Sequence, residues 1–316
     1  MEVRKLIKFG NSSHVISIPN VWLKKNNLNK GDVIYFEENG NNELVLKPQN
    51  KEEKKEPKTI VICTKDKSVL QIQREIIKSY INNYDTIKIR GKELEKISDD
   101  IRDILNNLVA IEILEQTREE ITAKDFLSIE DSSIEKIIRR IDTIIKVMLE
   151  DISFSENSDI FLSIKKRDKD VNRLMFLIYR IINNAQQNPK VLNTLKLKEE
   201  HLLSYWIMAM SLEKIADNLK RATQFNRVPD INEKARKDLT KIYEKIKLNY
   251  NKIMSAYYGN DITHAMVIAD ERRQDLLVCN RFCEKHSNVH GNMIVDEFKD
   301  LITHIGDITR VVYLKG

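Results

Sequence analysis

The spacing of apolar positions changes along this chain from an extended period to a helical one. Val3, Leu6 and Phe9 interleave with Arg4, Lys5 and Lys8, Gly10-Asn11-Ser12-Ser13 offers turn chemistry, and Val15-Ile16-Ser17-Ile18 resumes an extended run. This predicts strand, turn, strand. Pro19 can only open a helix, and Val21 to Leu28 supply a turn or two before Lys30-Gly31-Asp32 stops it. Val33-Ile34-Tyr35-Phe36 and Glu43-Leu44-Val45-Leu46 around Asn39-Gly40-Asn41-Asn42 predict a second hairpin. Two thin hairpins in roughly fifty residues bury too little surface to close a core, so dimerisation is expected.

The run QNKEEKKEPK at 49–58, bracketed by Pro48 and Pro57, has almost no apolar residue and predicts a linker. Beyond it, 59–64 and 86–90 read as strands, 67–83 as a helix and 109–114 as a third strand, giving a small α/β connector over 59–128. It has no Gly-rich phosphate loop, so no nucleotide is expected there. From Ser133 the pattern is helical. Ile134, Ile137, Ile138, Ile141, Ile144, Ile145, Met148, Leu149 and Ile152 recur at threes and fours, and similar stripes run through 158–187, 193–226, 231–258, 261–286 and 292–313. These six helices fall into two sets of three, about 133–226 and 230–316 within a helical domain of 129–316, separated by Asn226-Arg227-Val228-Pro229-Asp230. Such stripes are core first and imply no cofactor.

Charge sharpens the picture at one end only. The first thirty residues carry six Lys or Arg against one acid, Glu2, whereas the rest of the chain carries 47 of each sign; the whole formal +5 sits in that segment. A field that local attracts an extended polyanion, most commonly nucleic acid. The order strand, Gly10-Asn11-Ser12-Ser13, Ser17-Ile18-Pro19, short helix, Lys30-Gly31-Asp32, hairpin resembles the AbrB-type swapped-hairpin DNA-binding domain over 1–48. The resemblance implies two chains interleaving their hairpins into one barrel. It implies Arg4, Lys5, Lys8, Asn11 and Ser12 at the phosphates of double-stranded DNA. Lys24 and Lys25 are further candidates, with a solvated helix face as the alternative.

Carboxylates recur four apart in the helical half. Glu213 and Asp217 share one helix face, which costs roughly 0.2–0.5 kcal/mol unless a cation lies between them. Lys220 and Arg221 can reach Asp217, so a solvated acid pair with basic neighbours is one reading. The other comes from placement. Glu213-Lys214-Ile215-Ala216-Asp217 on a third helix, Arg167 to Leu174 on a second, and a repeat of the three-helix plan from 230 to 316 resemble the PhoU family of phosphate-uptake regulators over about 133–316. That resemblance implies paired three-helix bundles whose carboxylate faces hold iron or zinc. It nominates Asp168, Glu213, Asp217, Glu271, Asp275 and Asp307. The chain departs from the pattern at Asn172 and at Thr303, where acids are expected.

Cys279, Cys283, His286 and His290 are spaced four, three and four. Zinc sites usually draw on two elements and 288–291 reads as a turn, so the cysteines are expected to pack as small hydrophobes. Three cysteines in 316 residues argue against a disulfide framework. No leader or membrane-length apolar run is legible, and the expectation is a cytoplasmic protein without membrane insertion. No Walker loop, HExxH or Ser/His/Asp order appears, so no enzyme is expected.

The fold class expected is multidomain and mainly α: an AbrB-like N-terminal domain, an α/β connector and a PhoU-like helical pair. Three functions follow from these readings. One is a DNA-binding transcriptional regulator of phosphate uptake with a PhoU-like sensing half, similar to archaeal phosphate regulators. A second is a modulator of a phosphate-transporter ATPase whose N-terminal domain only dimerises. The third, a metal-dependent hydrolase, has the least support.

Overall fold

The first fifty-odd residues and the rest of the chain fold as separate units, 1–56 and 57–316. The computed structural model describes residues 3–38, 44–48, 57–128, 132–154, 160–227, 231–286 and 288–315. The turn at 39–42, most of the linker and Val228-Pro229-Asp230 lie outside the described residues.

In the first unit β1 (Ile7–Phe9) pairs antiparallel with β2 (Ser13–Val15), Lys8 opposite His14 and Phe9 opposite Ser13. Gly10 turns the chain at φ 71°, and Ser13 Oγ donates to Phe9 O at 2.5 Å. This tight turn draws the second strand to 13–15, two residues earlier than the apolar run predicts, and Ile16 to Ile18 lead to Pro19 outside any ladder. α1 (Asn20–Lys25) follows Pro19, whose carbonyl accepts from Trp22 N and Leu23 N at 3.0 and 3.1 Å. Asn29 N donates to Asp32 Oδ2 at 2.6 Å and Gly31 sits at φ 100°, which closes the loop into β3 (Tyr35–Glu38). β3 pairs antiparallel with β4 (Leu44–Lys47), Phe36 opposite Leu46.

The second unit opens with a four-stranded sheet in the order β5-β6-β8-β7. β5 (Thr59–Cys63) and β6 (Thr86–Arg90) run parallel through the crossover helix α2 (Val69–Ile81), which starts in a capping box between Ser68 and Gln71. α3 (Leu94–Asn106) leads to the antiparallel hairpin of β7 (Ile111–Gln116) and β8 (Glu120–Asp125). Ile62, Ile72, Ile76, Ile87, Ile89 and Ile101 form its core, all at 1% exposure or less. Gly91 passes so close to Thr64 that a Cβ there would stand 1.8 Å from Thr64 Oγ1.

The helices are α4 (Ile134–Asp151), α5 (Phe161–Gln187), α6 (Pro189–Thr194), α7 (Glu199–Asn226), α8 (Glu233–Gly259), α9 (Ile262–Lys285) and α10 (Val289–Lys315). α4, α5 and α7 pack as one set and α8, α9 and α10 as another, joined mainly by α7 against α10 and around a single apolar core. The predicted helix 193–226 is broken: Lys196 adopts φ 52° and its flanks close on themselves through Leu197 N to Leu192 O at 2.9 Å. The predicted turn at 288–291 is instead the start of α10, because Asn288 Oδ1 accepts from Gly291 N at 2.5 Å.

Buried polar groups fix how the parts meet. Asp142 of α4 accepts from Tyr250 and Tyr258 of α8, each at 3.0 Å. Arg236 Nη1 donates to Phe154 O at 3.1 Å and to Asn226 Oδ1 at 3.0 Å, pinning the crossover between the two helix sets. Arg180 of α5, 2% exposed, pairs with Asp125 of β8 and lies over the Tyr80 ring at 4.6 Å, so the connector sheet is docked on the first helix set.

Candidate functional site

The basic candidates of the N-terminal unit are displayed by its short strands and loops. Lys8 lies within β1, Asn11 and Ser12 in the β1–β2 turn, Arg4 and Lys5 just ahead of β1, and all five are exposed. Lys24 and Lys25 occupy the last turn of α1 and are exposed as well, where they also favour the helix C-terminus electrostatically.

No described residue of this unit is buried. Phe9, Leu6, Phe36 and Leu44 are each 62–68% exposed, beside Val3 at 85%. An isolated protomer therefore leaves in water the very side chains that would form a core, at about 25 cal/mol per Å² of apolar surface uncovered. The unit thus displays basic and apolar side chains together, with none of its described residues buried.

A family profile described as "Antidote-toxin recognition MazE, bacterial antitoxin" matches residues 7–54. The N-terminal domain is MazE/AbrB-like. Nothing among the curated proteins and no solved structure gives a significant match to the chain. The MazE/AbrB-like match spans β1 to β4, the elements that carry Lys8, Asn11, Ser12, Lys24 and Lys25, while Arg4 and Lys5 stand immediately before it.

The carboxylates of the helical half are met by cations and amide donors. Asp168 of α5, 4% exposed, receives Lys220 Nζ at 2.8 Å, and the same ammonium reaches Asp217 Oδ1 at 2.6 Å. Arg221 Nη2 adds 2.9 Å to Asp217 Oδ2 and its Nε 3.1 Å to Glu297 of α10. Burial pushes the Asp168 and Glu213 carboxyls up, against the pull of Lys220 and Lys214 respectively. Lys220 is held above its ordinary range: burial pulls it down, but hydrogen bonds to Asp168 and Asp217 outweigh that. In the second helix set Glu271 takes Lys245 Nζ at 2.5 Å, which lowers its pKa, and Asp275 accepts from Asn249 Nδ2 at 2.8 Å while burial raises its own. Asp307 has Arg310 at 3.3 Å and His304 at 3.4 Å.

The six nominated ligands are thus distributed over three places, each with its own cation or amide donor. Among the described residues no group of three or more His, Cys, Asp or Glu side chains is placed to hold a metal ion. Lys220 occupies the position between Asp168 and Asp217. Cys279 is fully buried and burial pushes its thiol up to about 12, while Cys283 is partly buried. His286 caps α9 and lies 3.0 Å from Asp238, and His290 belongs to α10.

Sequence reasoning missed the Arg180–Asp125 pair and the Asn218–Glu297 bond of 2.6 Å between α7 and α10. Both span elements far apart in sequence, and only the Asn at the position after Asp217 hinted at a polar face turned inward. Among the described residues no helix is long and apolar enough to cross a membrane.

Proposed function

We propose that the protein is a homodimeric DNA-binding transcriptional regulator, its MazE/AbrB-like domains joined into one duplex-binding platform and its helical half acting as the sensing part of phosphate homeostasis. The observation that carries the DNA reading is the coincidence, in one domain, of all the chain's excess positive charge with apolar side chains that are exposed among the described residues. Two copies would present Arg4, Lys5 and Lys8 twice along one surface, and phosphate contacts from such a patch position a protein on duplex without reading bases. The phosphate assignment rests on the two sets of three helices with carboxylates four apart, and a phosphate-transporter ATPase is the partner that this resemblance would supply.

The wording of the family profile favours a second reading, an antitoxin that captures a toxin protein. The regulator reading is tested by measuring retention on random duplex at moderate salt by the full chain and by residues 57–316. The regulator reading expects binding by the first and none by the second. Equal retention would remove the N-terminal domain from DNA binding and leave the protein-capture reading in its place.

A further inference from the structure

Between α8 and α9, with Ile302 of α10 beneath, the second helix set opens a cavity of about 340 Å³, within the range of small-molecule sites. Its floor is apolar: Ile242, Ile246, Phe282 and Ile302 are all less than 8% exposed, and Val278 forms a wall. Its mouth is cationic. Lys241 and Lys245 on α8, and Arg281 and Lys285 on α9, each recur at four residues and so stand on the facing sides of two antiparallel helices.

Most of the charge inside is already matched. Asp238 receives Lys285 Nζ at 2.6 Å and His286 at 3.0 Å, and Lys245 is bound to Glu271. Lys241 reaches Asp238 only at 3.8 Å and is 79% exposed, and among the described residues Arg281 has no acid within ion-pair distance. Incompletely neutralised cations, Arg281 and Lys241, therefore flank a concave, largely apolar floor, with Asp275 also in the lining. Water satisfies the first and not the second; an apolar body alone satisfies the second and not the first.

We propose that this cleft binds a small organic anion with an apolar body, its carboxylate or phosphate head at Arg281 and Lys241 and its tail over Ile242, Ile246 and Phe282. Arg281 supplies a planar fork suited to either head, and Lys241 a mobile point charge opposite it. The site is independent of the DNA-binding reading and is tested without DNA.

The experiment is calorimetric titration of the full-length protein with decanoate and with decyl phosphate, against decanol and inorganic phosphate. Saturable binding of one amphiphilic anion per chain is expected, at least tenfold tighter than decanol or inorganic phosphate. Arg281→Glu should weaken it at least tenfold with an unchanged thermal melt, since this side chain is exposed and forms no ion pair. Lys234→Glu, on an exposed position outside the cleft, should change it less than twofold. Decanol or inorganic phosphate binding as tightly as the anions would overturn the proposal, as would equal losses in the two variants, unchanged binding by Arg281→Glu, or no saturation at millimolar ligand.

Discussion

Asp168 and Lys220 decide the character of the first helix set. A carboxylate 4% exposed is tolerable there because an ammonium from α7 lies 2.8 Å away and bridges to Asp217. Lys220→Ala is expected to cost about 3–5 kcal/mol at neutral pH, the usual penalty for stranding one partner of a buried pair. Burial already raises the Asp168 pKa, so the folded variant takes up a proton at higher pH than its unfolded chain does, and the deficit should shrink as pH falls toward the carboxylate range. Denaturant melts at several pH values check this; a deficit that does not vary with pH would contradict it. Asp238 behaves in the opposite sense. Lys285 first, then His286, hold it down at about 2, so its contribution is present above the unfolded value of 3.8 and is lost as pH falls through about 2. Asp238→Asn should lower stability at pH 7 by about 1 kcal/mol, discounted for solvent screening, and leave little difference from the parent below pH 2.

Among the elements, the two hairpins of the first unit have the least to hold them. Most apolar side chains described along β1 to β4 are exposed in the protomer, Phe36 by 62%, and none is buried. Phe36→Asp is therefore expected to leave the second unit folded while turning a dimer into monomers in sedimentation and abolishing DNA binding. A variant still dimeric would show that the hairpins do not form the interface. The same elements show what was legible in the sequence. The change from extended to helical spacing, the Pro19-initiated helix and the two sets of three helices could be read because period and breakers are local signals. α3 and β8 were not, although Leu94, Ile97, Ile101 and Leu105 keep helical spacing, since that spacing is diluted by eight charged or polar neighbours and β8 alternates Ile121 and Ala123 with Glu120, Thr122 and Lys124. The long helix expected over 193–226 failed at Lys196, where a non-glycine residue takes positive φ and no Pro or Gly announces it. Carboxylates four apart were visible too; that Lys220, three residues from Asp217, would also reach across to Asp168 was not, because helix pairing decides it.

At the scale of the whole molecule, the chain couples a basic, MazE/AbrB-like domain to a mainly helical unit of 260 residues that carries its own core. The division falls at 56–57. If a dimer neutralises about six phosphates with two copies of Arg4, Lys5 and Lys8, log K for duplex should fall with log salt at a slope near about −5, at roughly −0.9 per phosphate. Combining Arg4→Ala with Lys8→Ala should make that slope shallower and weaken specific and non-specific duplexes alike, since both residues position the protein and neither specifies a base. Measured by fluorescence anisotropy across a salt series, a steep slope that flattens in the double variant is the result this account predicts. Binding indifferent to salt, or a slope unchanged by the two substitutions, would contradict it.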